Sequence, residues 1–219
     1  MKKSILTVGL IAFSQSISAQ IYTGRDSDVM LNRVNTQDRE PIDGSVYFHN
    51  NNNFERARIN GGTETFNIRY NALKDIMEYS EVKDSYIELY KDKNTKVDFV
   101  SGETFELKTY PFKKNEETGY LQLWSKGTTP IYKRSRKYLQ AASAQTDSYG
   151  GVRKQAEYKS EKANYFIEKD GKLIPFDKIK DIIALFPSKE KEAKTYLKNN
   201  KVSLERRDEL EKLINFLNN

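Results

Sequence analysis

The sequence predicts an α+β fold: a mostly antiparallel β meander, forming a curved sheet or open barrel, with short C-terminal helices packed on it. Three observations predict this. Short runs of alternating apolar and polar residues recur from Gly44 to Phe176, each bounded by Gly, Asn, Asp or Pro. At Asp177 the apolar period changes from two to about 3.6, the spacing of a helix face. Aromatic residues make up 12% of the chain, mostly Tyr and Phe, which suits well-filled strand faces.

The chain opens with Lys2 and Lys3, the apolar run ILTVGLIAF and then SQSISA, the layout of a secretory signal peptide. Cleavage after Ala19 is expected. The apolar run is much shorter than the ~20 residues a helix needs to cross a bilayer, so no transmembrane span is expected once the signal is removed. Residues 20–43 carry no sustained stripe of either period and read as an extended arm. The β domain then occupies 44–176 and the helical segment 177–219. Export places the protein in the periplasm or the extracellular space. Without cysteine there is neither a lipoprotein anchor nor a disulfide framework, so the core must hold the fold unaided.

Within the β domain, GSVYFH alternates Val46 and Phe48 with Tyr47 and His49, and NNNN at 50–53 is a loop. FERARI follows as a strand, closed by the turn signal Asn60-Gly61-Gly62. Phe66, Ile68 and Tyr70 alternate with Asn67 and Arg69. NALKD makes a turn, and Ile76 to Tyr79 begins the returning strand of a hairpin. Further strands are expected around Ile87 and Leu89, around Val97 and Phe99, and from Phe105 to Tyr110, with a turn at Ser101-Gly102. YLQLW and PIYKRSRKYLQ continue the series. After the polar break AASAQTDSYGG come VRKQAEYKS and NYFIEKDGKLIPF, whose Asp170-Gly171 is a two-residue hairpin signature.

In the helical segment Ile179, Ile182, Ile183 and Phe186 share one face. Pro187 stops that helix, and Ser188 is positioned to cap the next, in which Ala193, Tyr196 and Leu197 share a side. Ser203 is positioned to cap a third, striped by Leu210, Leu213, Ile214 and Leu217. Helices this short are marginal alone and need a partner, which the apolar face of a sheet supplies.

The RYN hairpin at 69–71, the GYLQLW run, the YFIEKDGKLIPF hairpin and the closing Lys/Glu-rich helices together resemble a group of secreted, flavobacterial-type Bacteroidetes proteins without assigned function. The resemblance covers most of the mature chain. It implies export and this architecture, and it carries over no activity and no functional residues.

Composition narrows the chemistry. Removing residues 1–19 takes two lysines and no acid, leaving 35 basic against 31 acidic side chains, a net charge of +4. Such a mild excess on an exported chain disfavours nucleic acid as a partner. His49 is the only histidine, so zinc chemistry on several His and Cys ligands is excluded, and His49 itself reads as an ordinary edge or surface residue. No P-loop, dinucleotide fingerprint or GxSxG motif is present, and no cofactor or metal is expected. Asp92, Asn94 and Asp98 lack the Gly and Glu of a calcium loop and read as a hairpin turn.

The most conspicuous surface candidate is YKRSRKY, in which Tyr132, Arg134, Arg136 and Tyr138 fall on one face of a strand. Interleaved aromatic and cationic groups hold anionic or sugar-like ligands by stacking and charge-assisted hydrogen bonds; a solvated strand face carries the same pattern. The expected role is an exported, non-catalytic envelope or secreted protein, binding or structural, whose partner is an envelope protein, a glycan or a lipid. The alternative is a carboxylate-based hydrolase of envelope polymers, which requires two acids converging in a cleft.

Overall fold

The computed structural model describes residues 42–81, 85–142 and 155–219. The expected signal peptide, nearly all of the arm and most of the polar break after Gln140 lie outside the described residues. The strands are β1 (Glu55–Ile59), β2 (Phe66–Asn71), β3 (Ile76–Ser80), β4 (Ile87–Glu88), β5 (Lys96–Phe99), β6 (Thr104–Phe112), β7 (Asn115–Ser125), β8 (Ile131–Arg134), β9 (Lys137–Gln140), β10 (Glu157–Ser160), β11 (Asn164–Lys169) and β12 (Lys172–Phe176). Ten of them form one antiparallel sheet in the order β12-β11-β8-β7-β6-β5-β1-β2-β3-β4, which stays open with β12 and β4 as its edges. β9 and β10 pair separately as a two-stranded ribbon.

The expected hairpin at 66–79 is present, with Arg69 opposite Glu78 and Tyr70 opposite Met77. Asp170 and Gly171 both take positive φ, as the two-residue turn between β11 and β12 demands. The order leaves a simple meander at β1, which pairs with β2 on one side and β5 on the other. Alternation fixes which side chains share a face but not which strand lies next door. The expected strand at 44–49 is instead a single bridge, Tyr47 to Asn71, followed by a turn. PIYKRSRKYLQ is also not one strand, because the backbone leaves the sheet between Arg134 and Lys137.

Register sets two faces. On one, Ala57, Ile68, Tyr70, Met77, Val97, Phe99, Phe105, Leu107 and Tyr120 form an apolar cluster, with the Phe48 ring packed on Tyr70 and Phe105. Further along the same face Ile131, Tyr165, Ile167 and Phe176 meet the helices. Between the two clusters the register places Gln122 opposite Lys133, a polar break in the face. The opposite face holds Tyr110, Leu121, Leu123, Tyr132 and Phe166.

The helices are α1 (Ile179–Ala184), α2 (Glu190–Asn199) and α3 (Arg207–Asn218), with a 3-10 turn at Pro187–Lys189. Their buried residues are Ile182 and Ile183, Ala193, and Leu210, Leu213, Ile214 and Leu217, all in one cluster with the sheet. The Trp124 indole donates to the Leu204 carbonyl at 2.9 Å, and Thr129 Oγ1 to Asn218 Oδ1 at 2.8 Å, tying β7 and the following loop to the C-terminal segment. The caps differ from expectation. Ser188 lies inside the 3-10 turn, and Lys189 and Arg206 occupy the capping positions of α2 and α3 without a side-chain bond. Ser203 instead accepts from the Glu205 amide in the preceding turn, while acids in the first turns, Glu190 and Glu192, then Asp208 and Glu209, complement the helix dipoles.

Candidate functional site

Three of the four residues of the basic-aromatic run point inward. Tyr132 packs among Leu121, Leu123 and Phe166, and its hydroxyl donates to Glu106 Oε2 at 2.9 Å. Burial first, and then the Glu106 charge, push its phenol well above the ordinary tyrosine range. Arg134 and Arg136 are each 7% exposed. Arg134 donates to Glu161 Oε2 at 2.6 Å and to the Tyr110 hydroxyl at 3.2 Å, with its guanidinium 4.2 Å from the Phe112 ring. Arg136 pairs with Asp75 Oδ2 at 2.7 Å and donates to the Tyr120 carbonyl at 3.2 Å and to the Tyr70 hydroxyl. Tyr138 is on β9, 43% exposed and on the far side of the backbone bend. The run therefore does not present one aromatic-cationic face to solvent.

Asp75 is the hub of this network. Its carboxylate accepts from the Tyr70 hydroxyl at 3.0 Å and from the Tyr120 amide at 3.1 Å, and pairs with Lys91 at 3.3 Å as well as with Arg136. The β2–β3 turn is thereby fastened to β7 and to the residues after β8. Charges removed from water this way need such full pairing.

A carboxylate convergence of the kind the hydrolase reading requires occurs around His49. Its Nε2 lies 2.8 Å from Glu103 Oε2 and 3.3 Å from Glu55 Oε1, and Gln122 Nε2 donates to Glu103 Oε1 at 3.2 Å. The imidazole thus occupies the space between the two acids. The adjoining recess, lined by His49 and Glu55, encloses ≈ 10 Å³, room for about one water molecule and not for a sugar ring. A second convergence, Glu106 with Glu168, is bridged by Lys108 Nζ at 3.2 and 3.3 Å.

Asp98, from the acidic segment read as a turn, accepts from Thr104 Oγ1 at 2.7 Å and pairs with Lys96 at 3.5 Å. Lys133 packs over the Trp124 ring at 4.2 Å, and burial lowers its pKa. Lys137 donates to the Ser45 carbonyl and to Asn50 Oδ1, and burial lowers its pKa as well.

The arrangement that borders an open groove is centred on Arg69, whose own side chain is 13% exposed. Its guanidinium lies 4.0 Å from the Tyr47 ring, 4.1 Å from Phe54 and 5.2 Å from Tyr86. Nε bonds Glu78 Oε2 at 2.7 Å, and Nη1 donates to the Asn52 carbonyl at 2.7 Å. Glu78 is 0% exposed and also accepts from Asn71 Nδ2 at 2.9 Å. Burial and the Glu78 charge push the Tyr47 phenol up to about 12. Beside this cluster runs an open groove of ≈ 690 Å³, lined by Asn52, Asn53, Phe54, Arg69, Ser85 and Tyr86 among others. Tyr86 is 45% exposed.

In the sequence Arg69 falls on the polar phase of a hairpin, which marks it as exposed and nothing more. The hairpin register itself would have paired Arg69 with Glu78, which are symmetric about the turn. Phe54 and Tyr86 arrive from a loop and from the residue just before the edge strand, and no local pattern links them to Arg69. No family model, curated protein or solved structure matches the chain.

Proposed function

We propose that the chain is an exported, non-catalytic binding protein of the cell envelope or the secreted space, and that it holds its ligand in the groove around Arg69. The N-terminal layout and the likeness to secreted Bacteroidetes proteins support export. The observation that carries the binding reading is the contrast between two arginine clusters. Arg134 and Arg136 are enclosed by internal partners. Arg69 is paired internally as well, to Glu78 and the Asn52 carbonyl, but it holds two aromatic rings, Phe54 and Tyr86, at the wall of an open groove. A concave surface with aromatic walls and a few fixed polar groups is the usual form of a ligand site.

The test is sedimentation of the mature protein with native envelope material. Binding should fall sharply in Tyr86→Ala and Phe54→Ala and be unchanged in Tyr138→Ala. Equal binding by all four proteins would overturn the site. The hydrolase alternative rests on the approach of Glu55 and Glu103 to His49. It predicts breakdown of an envelope polymer that Glu103→Gln abolishes; polymer left intact by the wild-type protein disposes of it.

A further inference from the structure

Resting on the groove reading above, we infer that the ligand is a neutral saccharide, stacked on Phe54 and Tyr86 and hydrogen-bonded by the amides of Asn52 and Asn53. Charge disfavours an anionic ligand. Among the described residues lining the groove, Arg69 is the one charged side chain, and the buried Glu78 carboxylate neutralises it at 2.7 Å. A phosphate, a phospholipid headgroup or a nucleic-acid backbone draws its affinity from uncompensated cations, which the described residues of this wall do not offer.

Polar and aromatic side chains alternate along the groove. Of the seven described lining residues, Asn52, Asn53, Ser80 and Ser85 carry an amide or an aliphatic hydroxyl, and Phe54 and Tyr86 carry aromatic rings. An acyl chain calls for a continuous apolar lining. A sugar ring carries both chemistries at once, a face of C–H groups and a rim of hydroxyls, and so matches rings flanked by amides. A peptide added along the sheet edge is a poorer fit, because β4 spans only Ile87–Glu88 and offers little ladder to extend.

The groove wall is also preorganised. Arg69 is anchored at Glu78 and at the Asn52 carbonyl, so it holds Phe54, Tyr86 and the 50–53 loop in one arrangement before any ligand arrives. Asn51 Oδ1 accepts from the Asn53 amide at 2.9 Å and steadies the same loop. Arg69 is thus a positioning residue. Lysine lacks the planar fork that binds Glu78 and the carbonyl together while stacking on rings.

The experiment titrates the mature protein with short neutral hexose and N-acetylhexosamine oligosaccharides, with envelope polysaccharide stripped of protein, and with phosphatidylglycerol vesicles, alongside native envelope material. The expected result is binding to at least one saccharide and not to vesicles, weakened about tenfold or more in Tyr86→Ala with an unchanged melting temperature. Tyr86→Phe, which keeps the ring, should retain most of the affinity. Binding of native envelope that depends on Tyr86, without binding of any saccharide or stripped polysaccharide, overturns the saccharide inference and leaves the groove standing. Saccharide binding that Tyr86→Ala and Phe54→Ala leave intact overturns both. Absence of binding to every probe, native envelope included, also overturns both.

Discussion

Asp75 shows how much of this molecule depends on single polar side chains. Its carboxylate receives Arg136, Lys91, the Tyr70 hydroxyl and the Tyr120 amide, and all but Lys91 are buried at that contact. Removing one partner of a buried pair leaves the other desolvated and uncompensated, at a cost of about 3–5 kcal/mol. Asp75→Ala should lower stability by that order in chemical denaturation, with unchanged m-value. Gly119 lies against the same network. A Cβ there would run into Asp75 Oδ2 and Arg136 Nη2 and come within 3.2 Å of the Tyr110 hydroxyl. Gly119→Ala should therefore destabilise on its own and less so in the Asp75→Ala background, where the obstructing carboxylate is gone and the Arg136 guanidinium, released from it, can shift aside. Additive effects in that cycle would show that the two positions are not coupled. None of this was legible in the sequence, where Asp75 is one residue of a polar turn and Gly119 one glycine before an apolar run. Long-range pairing of polar groups leaves no periodic trace, and so the YKRSRKY run was readable as a surface.

At the level of elements the sequence was more informative, because burial of one face writes a period into the chain. The hairpins at 66–79 and 164–176 and all three helices lie where alternation and the 3.6-residue spacing put them. The helix starts were less legible. The Asp181 carboxylate, which accepts from the amides of Asp177 and Lys178, begins α1 in the absence of a Ser or Thr cap. The helices share one core with Ile131, Tyr165, Ile167 and Phe176, which argues against an independent module. Leu213, fully buried in that cluster, should cost about 2–5 kcal/mol when replaced by Ala, measured by thermal or urea unfolding. Deleting residues 177–219 should expose the sheet residues of the cluster and give an insoluble or molten protein that binds a hydrophobic dye. A soluble, monomeric truncation that unfolds cooperatively near the wild-type temperature would show the β domain to be self-sufficient.

For the molecule as a whole, the heavy use of tyrosine in both faces predicts an alkaline limit to stability. Burial raises the phenols of Tyr47, Tyr70, Tyr110, Tyr120, Tyr132 and Tyr165 above the ordinary tyrosine value, Tyr47 to about 12. A raised pKa means that the folded state holds the proton more tightly than the unfolded chain, whose tyrosines titrate near 10. The associated stability is complete below about pH 10 and is lost as pH rises through the folded values. Lys133 and Lys137 act in the opposite sense, since burial lowers their pKa and rising pH relieves that cost. Their contribution stops changing once the unfolded lysines have titrated, near 10.4, so above that point only the tyrosine effect remains and stability falls. Unfolding should then set in between about pH 10.5 and 12, with phenolate absorbance at about 295 nm rising cooperatively as the circular dichroism of the sheet disappears. Tyr132→Phe, which removes the phenol that must ionise together with its bond to Glu106, should move the alkaline midpoint upward while lowering stability at neutral pH by about 1 kcal/mol. Gradual titration of all the tyrosines with the sheet signal intact through pH 12 would show that the buried phenols are reached by solvent without unfolding.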